Sequence, residues 1–285
     1  MKLSIITDEI SQQLDDVIAF CRHFGLPGVE LRSVEGLGVF DWTPQLVNRL
    51  QAGLSAAGLQ VCCLSLPFYK CAYQDATARQ THLDGLKRSL EIARTLGAGI
   101  VRGFCFWRNA DQQLAPEALQ AAFFDVVPLL RDYGVTMALE SDPSVNGHTA
   151  AALAGYVRSI DSPQVRALWD GGNLLFTPDG EDPIRGYALL KPLICHVHIK
   201  DARLVDGQPE AVLVGSGRAR IAEQLRLLAQ DHYDGWISLE THYRLHAKLD
   251  EATLRLPGGG QFSAGAAEAS AESMQALQTL LQQIN

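Results

Sequence analysis

Four short segments each end in a side chain able to hold a cation or move a proton: Ala138-Leu139-Glu140, Leu168-Trp169-Asp170, His196-Val197-His198-Ile199-Lys200-Asp201 and Ser238-Leu239-Glu240. Side chains at the C-terminal ends of successive parallel barrel strands point toward a common axis, so Glu140, Asp170, His198 and Glu240 converge if these segments are such strands. Three carboxylates in one pocket repel one another unless a cation neutralises them. Three carboxylates and one imidazole form a mostly oxygen donor set, which suits Mn²⁺, Mg²⁺ or Co²⁺ and is less typical of structural Zn²⁺. Mn²⁺ is the first expectation, with Mg²⁺, Co²⁺ and Zn²⁺ as alternatives. A metal with open positions can chelate two neighbouring oxygens of a hydroxy-ketone and acidify the adjacent C–H, giving an enediolate. Glu140 and Glu240, approaching from different sides, can then take the proton and return it. One acidic residue at a strand end is ordinarily a turn or cap residue; four at consecutive strand ends carry the reading.

The elements that must position these groups follow the rhythm of a parallel barrel. Short apolar runs, buried on both faces and ending in polar residues, alternate with helical-period segments eight times. The strand candidates are Leu3–Thr7, Gly28–Arg32, Gln60–Leu66, Ile100–Phe106, Thr136–Glu140, Val165–Asp170, Ile194–Lys200 and Trp236–Thr241. Leu14, Val17, Ile18 and Cys21, then Leu46, Leu50 and Leu54, repeat at helical spacing. Pro44 and Pro116 mark helix starts, and Gly25, Gly58, Gly97 and Gly134 follow helical runs. No composition break offers a linker, so residues 1–285 are expected to form one (β/α)8 barrel domain, with a C-terminal rim loop and a closing helix over Ala266–Ile284. Residues 67–76 and 243–265, after the third and eighth strands, are candidate lids.

The arrangement resembles the xylose-isomerase-like barrels, a family of sugar isomerases, ketose 3-epimerases, hydroxypyruvate isomerases and inosose dehydratases. The resemblance runs from Gly28-Val29-Glu30-Leu31-Arg32 through Leu139-Glu140, Trp169-Asp170-Gly171-Gly172-Asn173, His198-Ile199-Lys200-Asp201 and Gly215-Ser216-Gly217 to Gly235-Trp236-Ile237-Ser238-Leu239-Glu240. It implies a metal held by Glu140, Asp170, His198 and Glu240, with the two glutamates also acting as acid and base. Where many members have His two residues after the strand-five glutamate, this chain has Asp142; where many have His three residues after the strand-six aspartate, it has Asn173. Both positions usually touch substrate oxygens. Asn173 can hydrogen-bond a hydroxyl, whereas Asp142 disfavours a phosphate or carboxylate unless Lys200, Arg203 or Arg102 offsets it.

Other residues have blander readings. His196, on the same strand face as His198, is expected to pack one layer deeper. Lys200 is either a substrate contact or an ion-pair partner of Asp201 or Glu240. His242 faces inward at the rim as a substrate contact or a loop residue. Glu30 and Arg32 suggest a salt bridge at the end of the second strand, and a buried Arg102 requires a carboxylate partner. Phe68 and Trp107 read as packing. Gly215-Ser216-Gly217 is a weak phosphate-loop candidate, and the Gly258–Gly260 run reads as a loop.

With 32 acidic and 24 basic residues the formal net charge is −8, and no Lys/Arg run offers a track for a phosphate backbone. Nucleic acid is therefore not an expected partner, which disfavours the apurinic-site endonucleases that share the barrel and use three metals. No apolar run is long enough to span a bilayer, and the Met1–Glu9 start does not read as a signal peptide; a cytoplasmic location is expected. The six cysteines lack a CxxC pair and read as buried thiols. The expected partner is a small sugar-like molecule: a sugar, sugar phosphate or hydroxy-keto acid, to be isomerised or epimerised, or else dehydrated. A non-catalytic ligand-binding barrel is the remaining alternative, and a homo-oligomer is compatible with the fold.

Overall fold

The computed structural model describes all residues except 110–112, 178–179, 207, 247–248, 250–252, 254–258 and 285. Eight parallel strands form its centre: β1 Lys2–Ile5, β2 Gly28–Leu31, β3 Gln60–Phe68, β4 Ile100–Gly103, β5 Thr136–Glu140, β6 Val165–Asp170, β7 Ile194–Ile199 and β8 Trp236–Leu239. They lie side by side in chain order, with β8 pairing β1 in parallel, and a bridge between Ile6 and Glu30 joins the first strand to the second. The result is a nearly closed (β/α)8 barrel. All eight expected strands are present, and β5 and β6 keep their expected bounds.

Helices α1 Leu14–Phe24, α2 Pro44–Ala56, α3 Ala76–Leu96, α4 Pro116–Ala122, α5 Val126–Tyr133, α6 Ala150–Ile160, α7 Pro183–Leu190, α8 Ile221–Gln230 and α9 Ala266–Gln282 accompany the strands. Their ends follow local chemistry. Thr43 accepts the Leu46 N–H ahead of Pro44, and Asp75, Thr149 and Asp182 cap α3, α6 and α7 in the same way. Each such cap satisfies an otherwise orphaned donor, a contribution of about 1 kcal/mol. Gly25, Gly97 and Gly134 close α1, α3 and α5 in the left-handed conformation that glycine adopts without strain. Short αβ turns result, and these fix where each strand begins. Among the described residues no helix is long and apolar enough to cross a membrane.

The C-terminal helix closes the ring. Ser270 on α9 donates to the Glu9 carbonyl and Ser263 to the Asp8 carbonyl, so the end of the chain is tied to the loop after β1. Two antiparallel hairpins, Ser33–Val34 with Leu37–Gly38 and Asp201–Val205 with Gln208–Val212, add to the C-terminal rim. All six cysteines are free, five of them buried and Cys195 partly so.

Candidate active site at the C-terminal rim

Register brings the four ligand candidates together. Asp170 stands directly opposite His198 across β6 and β7, and the N–H of Glu240, just past β8, donates to the Ile199 carbonyl at the end of β7. One donor atom from each of Glu140, Asp170, His198 and Glu240 lies within 4.8 Å of all the others, and all four residues are buried. His198 Nδ1 is 3.4 Å from Glu140 Oε1 and 3.6 Å from Glu240 Oε2, yet it has no hydrogen-bond partner. Asp170 Oδ2 is also without a directed hydrogen bond, although the Lys200 ammonium is 2.9 Å away. Two orphaned buried atoms that face each other's ligand set fit a divalent cation, which needs open lone pairs from oxygen and imidazole.

The surrounding charges extend this fit. Asp8, Glu9, Glu30, Glu140, Asp170 and Glu240 are buried at or next to the cluster, and the buried cations Arg32, Arg102, Lys200 and Arg244 pair with all of them except Glu30. With neutral imidazoles the described set is two negative charges in excess, which one divalent ion cancels.

Each glutamate is gripped on both oxygens. Glu140 accepts from Asn173 Nδ2 at 3.1 Å and from Arg102 Nη1 at 3.1 Å, while Glu240 accepts from Arg32 Nη1 at 2.6 Å and from Lys200 Nζ at 2.7 Å. Burial alone would favour the neutral acids, but the Arg102 charge lowers Glu140, and Lys200 with His242 takes Glu240 well below the ordinary carboxylate range. Without an ion, burial likewise opposes a charged His198, yet Glu30 and the other carboxylates raise it well above its usual value. Two ionised carboxylates on different strands can accept or return a proton on a molecule held between them.

The other expected site residues divide. His242 joins the centre, its Nε2 lying 3.3 Å from both Glu9 Oε1 and Glu240 Oε1 with its ring stacked on Phe262. Lys200 is buried against Glu240 and Asp170 rather than Asp201. Asn173 is 8% exposed and uses its amide N–H groups on Glu140 and the Ser141 carbonyl. Asp142 does not rely on Lys200, Arg203 or Arg102, because Lys70 pairs with it at 2.9 Å. Arg203 stays out of the centre: it lies on the rim hairpin, more than half exposed, against Glu210. The hairpin strand leaves the protein body at this point, with Arg203, Leu204 and Val205 exposed in succession after the buried Asp201 and Ala202.

Further expectations are revised. Glu30 and Arg32 do not pair with each other. Arg32 serves Asp8, Glu9 and Glu240, whereas Glu30 receives His196 and His198 one layer deeper. Arg102 does find its carboxylate, Glu140. The Gly215 and Gly217 N–H groups are not open to phosphate, since both donate to Asp201 Oδ2. In residues 67–76, Phe68, Tyr69 and Cys71 are buried, while Ala72, Gln74, Asp75 and Ala76 are exposed. Phe68 packs as expected, but Trp107 is 39% exposed. Much of 243–265, and Gly258 with it, lies outside the described residues. Phe262 from that segment is buried and covers the Arg32 guanidinium at 4.3 Å.

Asp8, Glu9, Lys70 and Phe262 complete the surroundings without having stood out in the sequence. Asp8 and Glu9 carried the same mark as Glu140, acidic residues where a strand meets the rim. Backbone at Tyr69, Phe106 and His242, each just past a barrel strand, is left-handed with φ of 59°, 58° and 47°. Such strain concentrates where side chains are aimed at a site.

Eight parallel strands carrying an acidic and imidazole cluster at their C-terminal ends define a barrel of the kind that places its chemistry at that rim. The chain belongs to the xylose isomerase-like TIM barrel family, whose model matches residues 18–279. No curated protein matches the sequence. Among solved structures it is similar to a D-tagatose 3-epimerase-like protein, at 19% identity and a TM-score of 0.75 over 100% of this chain and 98% of that one. It is also similar to the probable 3-DHS dehydratase AsbF from Bacillus anthracis, at 17% identity and 0.74 over 98% and 99%. A third is a xylose isomerase-like TIM barrel protein from Mycobacterium smegmatis in complex with magnesium, at 15% identity and 0.70 over 100% and 97%.

Proposed function

We propose that residues 1–285 act as one domain, a divalent-metal-dependent isomerase or epimerase of a small sugar-like hydroxy-ketone, with Mn²⁺ as the preferred ion. The observation that carries this reading is the cluster of Glu140, Asp170, His198 and Glu240 donor atoms within 4.8 Å, with His198 Nδ1 and Asp170 Oδ2 unpartnered inside it. An ion held there would polarise a substrate carbonyl and acidify the C–H beside it. Glu140 and Glu240 take and return the proton from opposite sides of the pocket. Arg102 and Asn173 fix the first carboxylate; Arg32 and Lys200 fix the second. Lys200, Asn173 and His242 border the cluster and are the substrate-oxygen contacts we favour, with Asp142 and Lys70 further out at the rim. Arg203 has no place in the pocket.

Dehydration is the second reading, favoured by the likeness to a dehydratase. The same carboxylates would remove the proton, and a β-hydroxyl would leave instead of the proton returning. The test is metal analysis of the purified protein beside Glu240→Gln, followed by solvent-deuterium incorporation into a panel of ketoses and keto-acids. Metal in the wild type and deuterium at one carbon of an intact product are expected for isomerisation or epimerisation, and loss of water marks the dehydratase. No metal, with the variant equal to wild type, would reject both.

A further inference from the structure

One buried cluster has no task in the chemistry above. Glu30 and His196 are 0% exposed and lie one layer below the ligand cluster, with Ser65 beside them at 1%. Glu30 Oε2 is 2.7 Å from His196 Nε2, and Oε1 is 3.0 Å from His198 Nε2 while also accepting the Ser65 hydroxyl. An ionised carboxylate only accepts hydrogen bonds, so each imidazole must present N–H on Nε2. For His198 the proton that an incoming cation must displace is then the one on Nδ1, and its loss leaves a lone pair turned toward Glu140, Asp170 and Glu240.

The three residues are not a second metal centre. Ligands around a tetrahedral ion at the usual bond lengths stand about 3.4 Å apart. The Glu30 contacts to the two imidazoles, at 2.7 and 3.0 Å, are hydrogen bonds.

We propose that Glu30 is a positioning residue for the metal centre: it selects the Nε2–H form of His198, holds the ring, and so aims Nδ1 at the ion. The inference rests on the reading that a divalent ion binds at Glu140, Asp170, His198 and Glu240. His196 and Ser65 in turn keep Glu30 from rotating. His196 is itself steadied by Ser238, whose hydroxyl is 3.3 Å from Nε2 and 2.7 Å from the Ser4 hydroxyl. Carboxylates hydrogen-bonded to ligating imidazoles both orient the ring and raise its basicity.

Glu30→Gln tests this at nearly constant volume. The amide keeps one accepting oxygen and turns a donating nitrogen toward the other imidazole, so it cannot hold both rings in the Nε2–H form. The measurements are the Mn²⁺ dissociation constant by chelator competition and the denaturation midpoint in EDTA, for wild type, Glu30→Gln and Ser65→Ala. A Co²⁺-loaded sample adds the paramagnetically shifted, exchangeable N–H proton of the ligating imidazole in the NMR spectrum. Glu30→Gln is expected to weaken Mn²⁺ binding about 10–100-fold and to move or abolish that resonance, with Ser65→Ala shifting both in the same direction by less. Mn²⁺ affinity within about twofold of wild type, with the resonance unmoved, overturns the inference. If the wild type itself binds no Mn²⁺, the metal reading falls and this inference with it; if it binds and the variants match it, only this inference falls. Should Glu30→Gln fail to fold, Ser65→Ala decides: unchanged affinity and an unchanged resonance overturn the proposal.

Discussion

Lys200 shows how one residue can serve two states of a site. Its ammonium is 2% exposed and touches two of the four ligand carboxylates, Asp170 and Glu240. Without an ion it is the fixed counter-charge of Asp170 and shares Glu240 with Arg32, and the two carboxylates in turn hold its pKa above the ordinary lysine value against the effect of burial. Lys200→Met is expected to cost about 3–5 kcal/mol in EDTA, the usual penalty for stranding a buried charge. Saturating Mn²⁺ should remove most of that deficit, because the ion supplies the missing positive charge. Urea denaturation with and without metal checks this; an equal deficit in both would mean that ion and ammonium act at separate places. The four ligand candidates were legible because each ends a strand, and alternation sends strand ends to the axis. Their supports were not. Glu30 and Arg32 look like a pair from their spacing, but residues two apart on a strand lie in different layers of the barrel, and each finds its partners on other strands.

At the scale of elements, two contacts set how rim and ring hold together. The Asp201 carboxylate opens the rim hairpin and accepts four backbone N–H groups, from Ala202, Gly215, Gly217 and Ala219. It organises the turn leading to α8, and a Cβ on Gly217 would collide with it. Asp201→Ala leaves those donors without their acceptor and is expected to cost about 1–3 kcal/mol. A lower denaturation midpoint and faster proteolysis at Arg218 would register it. The second contact joins α7 to α8: Asp231 accepts from Lys191 Nζ and the Tyr187 hydroxyl, both at 2.9 Å. Lys191, and then Tyr187, lower the Asp231 pKa. A carboxyl depressed in the folded state adds stability above its unfolded pKa and loses it as pH falls through the folded value. Asp231→Asn should therefore lower the midpoint slightly at neutral pH, by at most about 1 kcal/mol for so exposed a pair. The gap should begin to narrow near about pH 4, the unfolded value, and close once the pH is below the lower folded value; melting curves from about pH 7 down to about pH 2 test that. Strands and glycine-capped helices were readable from period and punctuation. The rim hairpins were not, because Ser33–Val34 and Leu37–Gly38 are too short to show a period, and the weak anion-loop pattern of Gly215-Ser216-Gly217 is filled by Asp201.

For the whole molecule, the barrel's order followed from eight repeats of one rhythm, while the packing of its interior did not. Ser4, Ser238, His196 and Glu30 form a polar column under the cluster, where a typical barrel interior is branched and apolar. Nothing in the apolar strand runs announces which residues share that column. A site whose buried carboxylates outnumber its buried cations should report its ion globally. At 100 times the dissociation constant, Mn²⁺ is expected to stabilise the fold by about 2.7 kcal/mol. Thermal melts across a Mn²⁺ titration would show the midpoint rising in the wild type and nearly flat in Glu240→Gln.

Two of the buried ion pairs also join opposite halves of the chain. Arg32, just past β2, meets Glu240, just past β8, and Arg244 returns to Glu9, beyond β1, whereas Arg102 on β4 meets Glu140 on the neighbouring β5. During synthesis on the ribosome, Arg32 therefore emerges well before Glu240, and Glu9 well before Arg244. The last to arrive is the stretch through Phe262 and Ser270, which seals Arg32 and Glu9. A nascent chain halted after β7 would hold Arg32 and Glu9 without Glu240, Arg244 and Phe262, so the acidic cluster stays incomplete until β8 and the segment after it have been made.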